Sequence, residues 1–337
     1  MSLQARDLDY VLPERLIAQR PLDRRSDSRL LWLDRRSGEV RHRAFRDLPT
    51  ILTAGDLLVT NVSRVSARRL MGHRSTGGSV EMLVTDSSDG EGIALCRPAK
   101  KLRPGERVVL SGGLEAEILE DLGTGRRRFR WVDPEAASTG LATAGHVPLP
   151  PYVHEELPDE ERYQTVYGEV PGSAAAPTAG LHFDEDLLAF LGEACVGRAS
   201  VELAIGLDTF RPIQSDSLAD HVMHGERYSV PEATVLAVGD CQGRIVAVGT
   251  SSCRTLETCS VGKRRLQAGP GESRLLVSPG YEFKVVDGLL TNFHLPRTTM
   301  LAMVAALAGI EPLMRAYREA VREEYRFLSF GDAMLIV

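Results

Sequence analysis

The chain has 337 residues, 43% of them hydrophobic and 26% charged, with a formal net charge of −6 at pH 7. This is ordinary globular composition with ample material for a core, and the length favours two domains over one. The negative balance excludes a global basic signature for nucleic acid, so any such binding must come from local patches.

The first residues lack an apolar signal core, and no apolar run reaches membrane-spanning length. The five cysteines, Cys96, Cys195, Cys241, Cys253 and Cys259, are scattered and match no common zinc spacing. The expectation is a cytoplasmic protein with reduced thiols, off the membrane, working as a monomer or weak homo-oligomer.

In chain order, residues 13–17 read as a short helical turn, 29–33 as a strand, and 55–61 as a turn leading into a buried strand. Arg20, Arg24, Arg25 and Arg29 form a basic cluster, either a solvated face or a phosphate site. From residue 66 to 153 the texture changes to short strands split by Gly and Asp turns: 79–85, 92–97, 107–110, 114–120 and 126–132. That spacing suggests a small barrel or sandwich. In the last strand Arg126, Arg128 and Arg130 share one face while Phe129 and Trp131 turn to the other. Such a row is either an edge strand guarded by charge or an RNA-binding face that tracks phosphates.

Residues 171–183, Pro-Gly-Ser-Ala-Ala-Ala-Pro-Thr-Ala-Gly-Leu-His-Phe, are small, turn-forming and uncharged from Ser173 to Gly180. A merely solvated loop seldom lacks charge over such a length, so this one is expected to touch a ligand. Asp184 then caps a helix with Leu187, Leu188 and Leu191 on its apolar face, placing Thr178 and His182 near a helix N-terminus. Residues 244–249 form a buried strand, and 250–257 open a helix behind it. Strand, small polar turn and helix N-terminus is a common ligand site in an open α/β sheet. Arg254 in that first turn either reinforces an anion site or makes a salt bridge. Pro296 is expected at the first position of an apolar helix over 298–307, followed by a packing helix over 311–325 and a buried tail strand within 329–337. The fold class that emerges is α/β: a discontinuous layered domain, residues 1–65 and 154–337, carrying an inserted small β-barrel, residues 66–153.

Asp220-His-Val-Met-His224 puts His221 and His224 three residues apart, a spacing that can share a metal on a helix but lacks a third ligand nearby. There is no Walker loop, no G-x-G-x-x-G after a strand and no nucleophile elbow. What remains is loop histidines, His182, His221, His224 and His294, beside strand-end polar residues, Thr178, Thr250, Ser251 and Asn292. That set suits acid/base and hydrogen-bond catalysis on an organic substrate without a metal.

Four runs carry a family resemblance: residues 176–183, Asp220-His-x-Met-His224, Thr291-Asn-Phe-His-Leu-Pro296, and Tyr325-Arg-Phe-x-Ser-Phe-Gly-Asp-Ala-Met334. With Gly55-Asp-Leu-Leu-Val and Tyr163-Gln-Thr-Val-Tyr167 they make the chain resemble the S-adenosylmethionine:tRNA ribosyltransferase-isomerases of the queuosine pathway from Leu8 to its last residue. The resemblance implies S-adenosylmethionine as ribosyl donor, 7-aminomethyl-7-deazaguanine in tRNA as acceptor, and epoxyqueuosine-tRNA, adenine and methionine as products. On these loops His182 and His294 are expected to handle protons, with Asn292 and Thr178 orienting. Thr250, Ser251 and Arg254 are expected to grip the methionine carboxylate of the co-substrate or an RNA phosphate, with Ala179 and Gly180 also expected at the co-substrate. The sequence also departs from the family. Ala204 stands for a histidine, Asp208 and Gly225 replace a glycine and a serine, and Asn61-Val-Ser-Arg-Val65 replaces Asn-Asp/Asn-Thr-Arg-Val. The aromatic stretch before Pro279 is reduced to Arg274-Leu-Leu-Val-Ser. A paralogue acting on a different, small-molecule amine acceptor is the alternative.

Overall fold

The structure is a computed structural model and describes residues 4–206, 218, 221, 223 and 225–337. Its chain divides into two compact units, Met1–Ser63 with Pro150–Val170 and Ala176–Val337, and Arg64–Leu149 with Pro171–Ala175. The second unit thus begins two residues before the expected insertion, ends four residues sooner, and takes in part of the 171–183 loop.

The first unit is built on strands that are buried along their whole length, with polar residues only at their C-terminal ends. Leu57–Asn61, Ile245–Val248, Gly288–Asn292 and Ala333–Ile336 are buried at every residue, the pattern of strands covered on both faces. Among the described residues nine strands form one sheet. Its order is Gly269–Ser273, Glu226–Val230, Gly197–Leu203, Leu57–Asn61, Ile245–Val248, Gly288–Asn292, Ala333–Ile336, Arg29–Leu33 and Val40–Ala44. The four strands from Gly197–Leu203 to Gly288–Asn292 run parallel, so their C-terminal ends open on one side of the sheet.

Alternation along these strands sends side chains to two cores. Leu57, Val59, Ile245, Ala247 and Leu289 join one; Leu58, Val246, Val248 and Leu290 join the other. The first core is covered by the helices Gly249–Thr258, Thr299–Ala308 and Ile310–Arg322, the second by Leu48–Ile51 and Glu185–Glu193. The helix Glu185–Glu193 starts as expected, the Asp184 carboxylate accepting from the Leu187 amide at 2.9 Å.

Two expectations are corrected here. Pro296 does not open the apolar helix; Thr298 caps it by accepting from the Leu301 amide, and the helix is Thr299–Ala308. The following helix stops at Arg322, because Tyr325 leaves it to pack edge-on against Phe293 with ring centroids 5.5 Å apart. Gly309, with φ of 82°, lets these two helices meet at a bend of 114°. No single described helix is long and apolar enough to cross a membrane.

The second unit is a closed six-stranded antiparallel barrel, in the order Arg126–Trp131, Glu91–Arg97, Ser79–Ser88, Arg68–Arg74, Arg107–Leu110 and Glu115–Asp121. Inward residues such as Leu70, Met82, Ala94, Val108, Ile118 and Phe129 fill it. Sequence reasoning missed the strand Arg68–Arg74 and the helix Pro134–Ala144, whose Ala137 and Leu141 pack on the barrel core. That helix is signalled by Asp133-Pro134: the Asp133 carboxylate caps the amides of Glu135 and Ala136, and Pro134 takes the first helical position.

Candidate active site

An open cleft of about 720 Å³ lies at the C-terminal ends of the parallel strands, where ligands sit in open α/β sheets. Its wall brings together two stretches that are 70 residues apart in sequence. One is the turn at Thr178 and Ala179; the other is Gly249, Thr250 and Ser251 at the start of the helix Gly249–Thr258. Gly249 has φ of 87°, and a Cβ there would lie 3.6 Å from Cβ of Ala179, so the helix N-terminus and the uncharged loop are in near contact. The helix whose free N–H groups face the cleft is therefore Gly249–Thr258, not the one capped by Asp184. Its positive end favours an anionic group, such as a carboxylate.

Asn61, at the end of its strand, holds this wall. Its Nδ2 donates to the Leu203 carbonyl at 3.0 Å and to Ser251 Oγ at 3.3 Å, and its Oδ1 accepts from the amides of Ser63 and Leu203. Ser63 Oγ also donates to the Leu203 carbonyl at 2.8 Å, so the hydroxyl common to Ser and the family's Thr is kept, while Val62 packs into the neighbouring apolar core.

The two histidines expected to handle protons are placed differently. His294 lines the cleft. Its Nε2 is 2.9 Å from Thr291 Oγ1, while Nδ1 has no hydrogen-bond partner among the described residues. Burial pushes its pKa down to about 4, so the ring is neutral near pH 7. His182 does not line this cleft. It is buried behind it, beside a smaller cavity bordered by Arg25 and Ser28, with its ring centroid 5.0 Å from that of Phe45.

The contacts of His182 define its state. Asn292 Nδ2 donates to the Leu328 carbonyl at 3.1 Å and to His182 Nε2 at 3.1 Å, while Thr178 Oγ1 donates to Asn292 Oδ1 at 3.0 Å. Nε2 must then accept, and Nδ1–H donates to Ser28 Oγ at 2.6 Å, whose own proton goes to the Arg25 carbonyl. Burial, with the nearby charges of Arg326 and Arg25, pushes the pKa of His182 down to about 3. Every polar atom in this chain is satisfied, and its outcome is a fixed amide and hydroxyl, Asn292 and Thr178, at the cleft.

Arg254 lines the cleft, but it is not a free cation. Its guanidinium is paired with Glu226 at 2.5 Å, both side chains are buried, and Glu226 Oε1 also accepts from the Gly206 amide at 3.1 Å. Arg254 Nε is buried without a hydrogen-bond partner among the described residues. Glu226 was not anticipated; nothing in the spacing of residues 226 and 254 announces the pair. Gly180 lies under the loop, where a Cβ would come within 2.2 Å of the Tyr167 hydroxyl, so it serves packing. The motif residues Tyr163 and Tyr167 are buried beneath this turn.

Arg126, Arg128 and Arg130 are exposed on the barrel strand, as the alternation requires. Arg128 is held by Glu120 at 3.1 Å and Arg130 by Glu117 at 3.4 Å, across the neighbouring strand. The row is therefore partly neutralised by its own sheet. Asp208 and His224 lie outside the described residues. His221 is described, and no metal-binding group of His, Cys, Asp and Glu occurs among the described residues.

The queuosine biosynthesis protein family matches residues 5–336. An S-adenosylmethionine:tRNA ribosyltransferase-isomerase of Gloeobacter violaceus is 48% identical over 335 residues, covering 98% of this chain and 94% of that protein. The enzyme of the same name from Symbiobacterium thermophilum is 48% identical over 337 residues, covering 98% and 99%. The crystal structure of S-adenosylmethionine tRNA ribosyltransferase from Thermotoga maritima is 36% identical with a TM-score of 0.57, covering 98% of this chain and 100% of that one. On matches that run the length of both partners, this chain belongs to the queuosine biosynthesis protein family, among the S-adenosylmethionine:tRNA ribosyltransferase-isomerases.

Proposed function

We propose that the protein transfers and isomerises the ribosyl moiety of S-adenosylmethionine onto 7-aminomethyl-7-deazaguanine in tRNA, yielding epoxyqueuosine-tRNA, adenine and methionine. The observation that carries this reading is the near-full-length identity to enzymes of that name. The relatives support tRNA as the substrate over a small-molecule amine acceptor. A tRNA substrate supports a cytoplasmic location.

The cleft supplies groups suited to each demand of this reaction. A sulfonium acidifies the adjacent C5′ protons, and the open Nδ1 of the neutral His294 is the base that takes one. Thr291 fixes the ring through Nε2. Thr178 and Asn292, immobilised from behind by His182, have their donors engaged and orient the ribose by offering Oγ1 and Oδ1 as acceptors to its hydroxyls. The N-terminus of the helix Gly249–Thr258, with Thr250 and Ser251, receives the methionine carboxylate. Arg254 and Glu226 together keep that wall charge-balanced. His182 is thus a positioning residue, and His294 the catalytic one.

The products distinguish this chemistry from the commoner use of the same co-substrate. Incubation with S-adenosylmethionine and acceptor tRNA is expected to release adenine and methionine in equal amounts. Formation of S-adenosylhomocysteine instead would mean methyl transfer and would overturn the reading.

A further inference from the structure

The barrel sorts its cations into two sets. Arg74, Arg107, Arg128 and Arg130 each face a glutamate of the same sheet or its turns. Arg97, Lys100, Lys101, Arg103 and Arg126 are exposed and have no ion pair or side-chain hydrogen bond among the described residues. Glu81, opposite Arg97 across the ladder, is engaged by Arg69 at 3.3 Å.

The second set is gathered by the fold. Four of its members lie on the turn over residues 97–103. Arg126 is brought alongside, since the Cys96 amide donates to the Gly125 carbonyl at 2.9 Å and a Cβ on Gly125 would lie 3.8 Å from Cβ of Ala99. An open cavity of about 970 Å³ borders the turn, with Lys100, Arg103, Thr124 and Gly125 in its lining.

The turn is also rigid. Leu102 is buried in the barrel core. The buried Arg127 grips the segment from beneath, donating from Nε to the Leu102 carbonyl at 2.8 Å and from a terminal nitrogen to the Ala99 carbonyl at 2.5 Å. The charge of Arg127 is itself balanced by Asp121. A buried cation is thus spent on holding the backbone, while the exposed cations above it are left uncompensated in a protein whose net charge is −6.

We infer that the turn over residues 97–103, together with Arg126, is the surface on which the barrel receives the phosphodiester backbone of tRNA. The inference rests on the tRNA reading above and moves the RNA contact from Arg128 and Arg130 to this turn. Exposed Lys and Arg without acidic partners bind phosphates by releasing condensed counterions, a term that is independent of base sequence and falls steeply with salt. Arginines already held by Glu117 and Glu120 have to break an ion pair first, and release less.

The test compares tRNA binding by the wild type with two variants, Lys100→Ala/Lys101→Ala/Arg103→Ala/Arg126→Ala and Arg128→Ala/Arg130→Ala, over a salt series. All substituted side chains are exposed, and thermal melting of each variant checks the fold. The fourfold variant is expected to lose about tenfold or more in affinity, with a log–log salt slope shallower by about 0.7–0.9 per phosphate contact removed. Its affinity for S-adenosylmethionine should not change, and the double variant should match the wild type. Wild-type affinity and slope in the fourfold variant, or an equal loss in the double variant, would overturn the inference. If the wild type itself binds S-adenosylmethionine but no tRNA, the tRNA reading fails and takes this surface with it. If the wild type modifies tRNA and the fourfold variant does so with unchanged KM, only the surface is wrong.

Discussion

Asn292 Nδ2 lies 3.1 Å from Nε2 of His182, and this contact divides the labour between the two loop histidines. The amide, pinned also by the Leu328 carbonyl and Thr178, turns His182 into an acceptor locked behind the cleft. His294, two residues along from Asn292, keeps a free Nδ1 at the cleft itself.

From this follows an asymmetry between two histidine variants. His294→Ala is expected to lower kcat by about 10²–10⁴, the usual contribution of a general base, with S-adenosylmethionine binding retained. His182→Ala is expected to keep measurable turnover while losing about 1–3 kcal/mol of stability, because the buried Asn292 amide loses its acceptor and the buried Ser28 oxygen loses its donor. Ser28→Ala, which removes the acceptor of the His182 Nδ1–H and so loosens the ring behind Asn292, should change kcat in the same direction as His182→Ala. Steady-state kinetics and thermal melting check this. Equal losses of kcat in His182→Ala and His294→Ala, with unchanged melting, would contradict the division.

Acid stability offers a second check. Burial lowers the pKa of His294 to about 4 and of His182 to about 3, whereas in the unfolded chain both take up protons near the ordinary histidine value. The stability tied to keeping each ring neutral is fully present above that ordinary value and is lost as pH falls from there towards the folded pKa. Between pH 7 and pH 5 the loss amounts to about 2 kcal/mol for each ring, at about 1.4 kcal/mol per pH unit. Urea unfolding of His294→Gln at both pH values should therefore show a fall about 2 kcal/mol smaller than that of the wild type. An identical fall would mean that His294 is protonated as easily in the folded protein as in the unfolded chain.

A third prediction concerns Ala204, where the family carries histidine. Leu203 and Ile205 line the cleft and Ala204, between them, does not. Its amide donates to the Arg227 carbonyl at 2.9 Å, a link to the neighbouring strand that any residue can make. Ala204→His is thus expected to change kcat/KM for tRNA modification by no more than about twofold, the scale of about 0.5 kcal/mol. A gain of tenfold or more would show that the missing imidazole belongs to the reaction.

Much of the scaffold was legible because burial on both faces writes continuous apolar strands, as in Leu57-Leu-Val and Ile245-Val-Ala-Val. The turn at Thr178 and the strand-turn-helix at Gly249 were each read as ligand-facing, and both line the cleft. Their meeting was not legible, since it depends on the sheet order that sets Leu57–Asn61 beside Ile245–Val248. Nor does residue type separate His182, the last residue of the helical turn Thr178–His182, from His294 in its loop, because only the third dimension puts Asn292 in front of one. Arg254 likewise looks like a free cation until Glu226 arrives from a different strand. The barrel row was partly readable. Glu115-Ala-Glu-Ile-Leu-Glu-Asp121 and the Arg126–Trp131 strand form a tight hairpin, and counting back across the turn pairs Arg128 with Glu120. Arg130, by contrast, meets Glu117 only because a bulge skips Leu119, which counting does not foresee.

The most direct test of the central claim is nucleoside mass spectrometry of tRNA carrying 7-aminomethyl-7-deazaguanine after incubation with the wild-type protein and S-adenosylmethionine. The account predicts conversion to epoxyqueuosine, with one adenine released per nucleoside modified, and conversion slowed by about 10²–10⁴ with His294→Ala. Unmodified tRNA after incubation with folded protein that binds S-adenosylmethionine would contradict it.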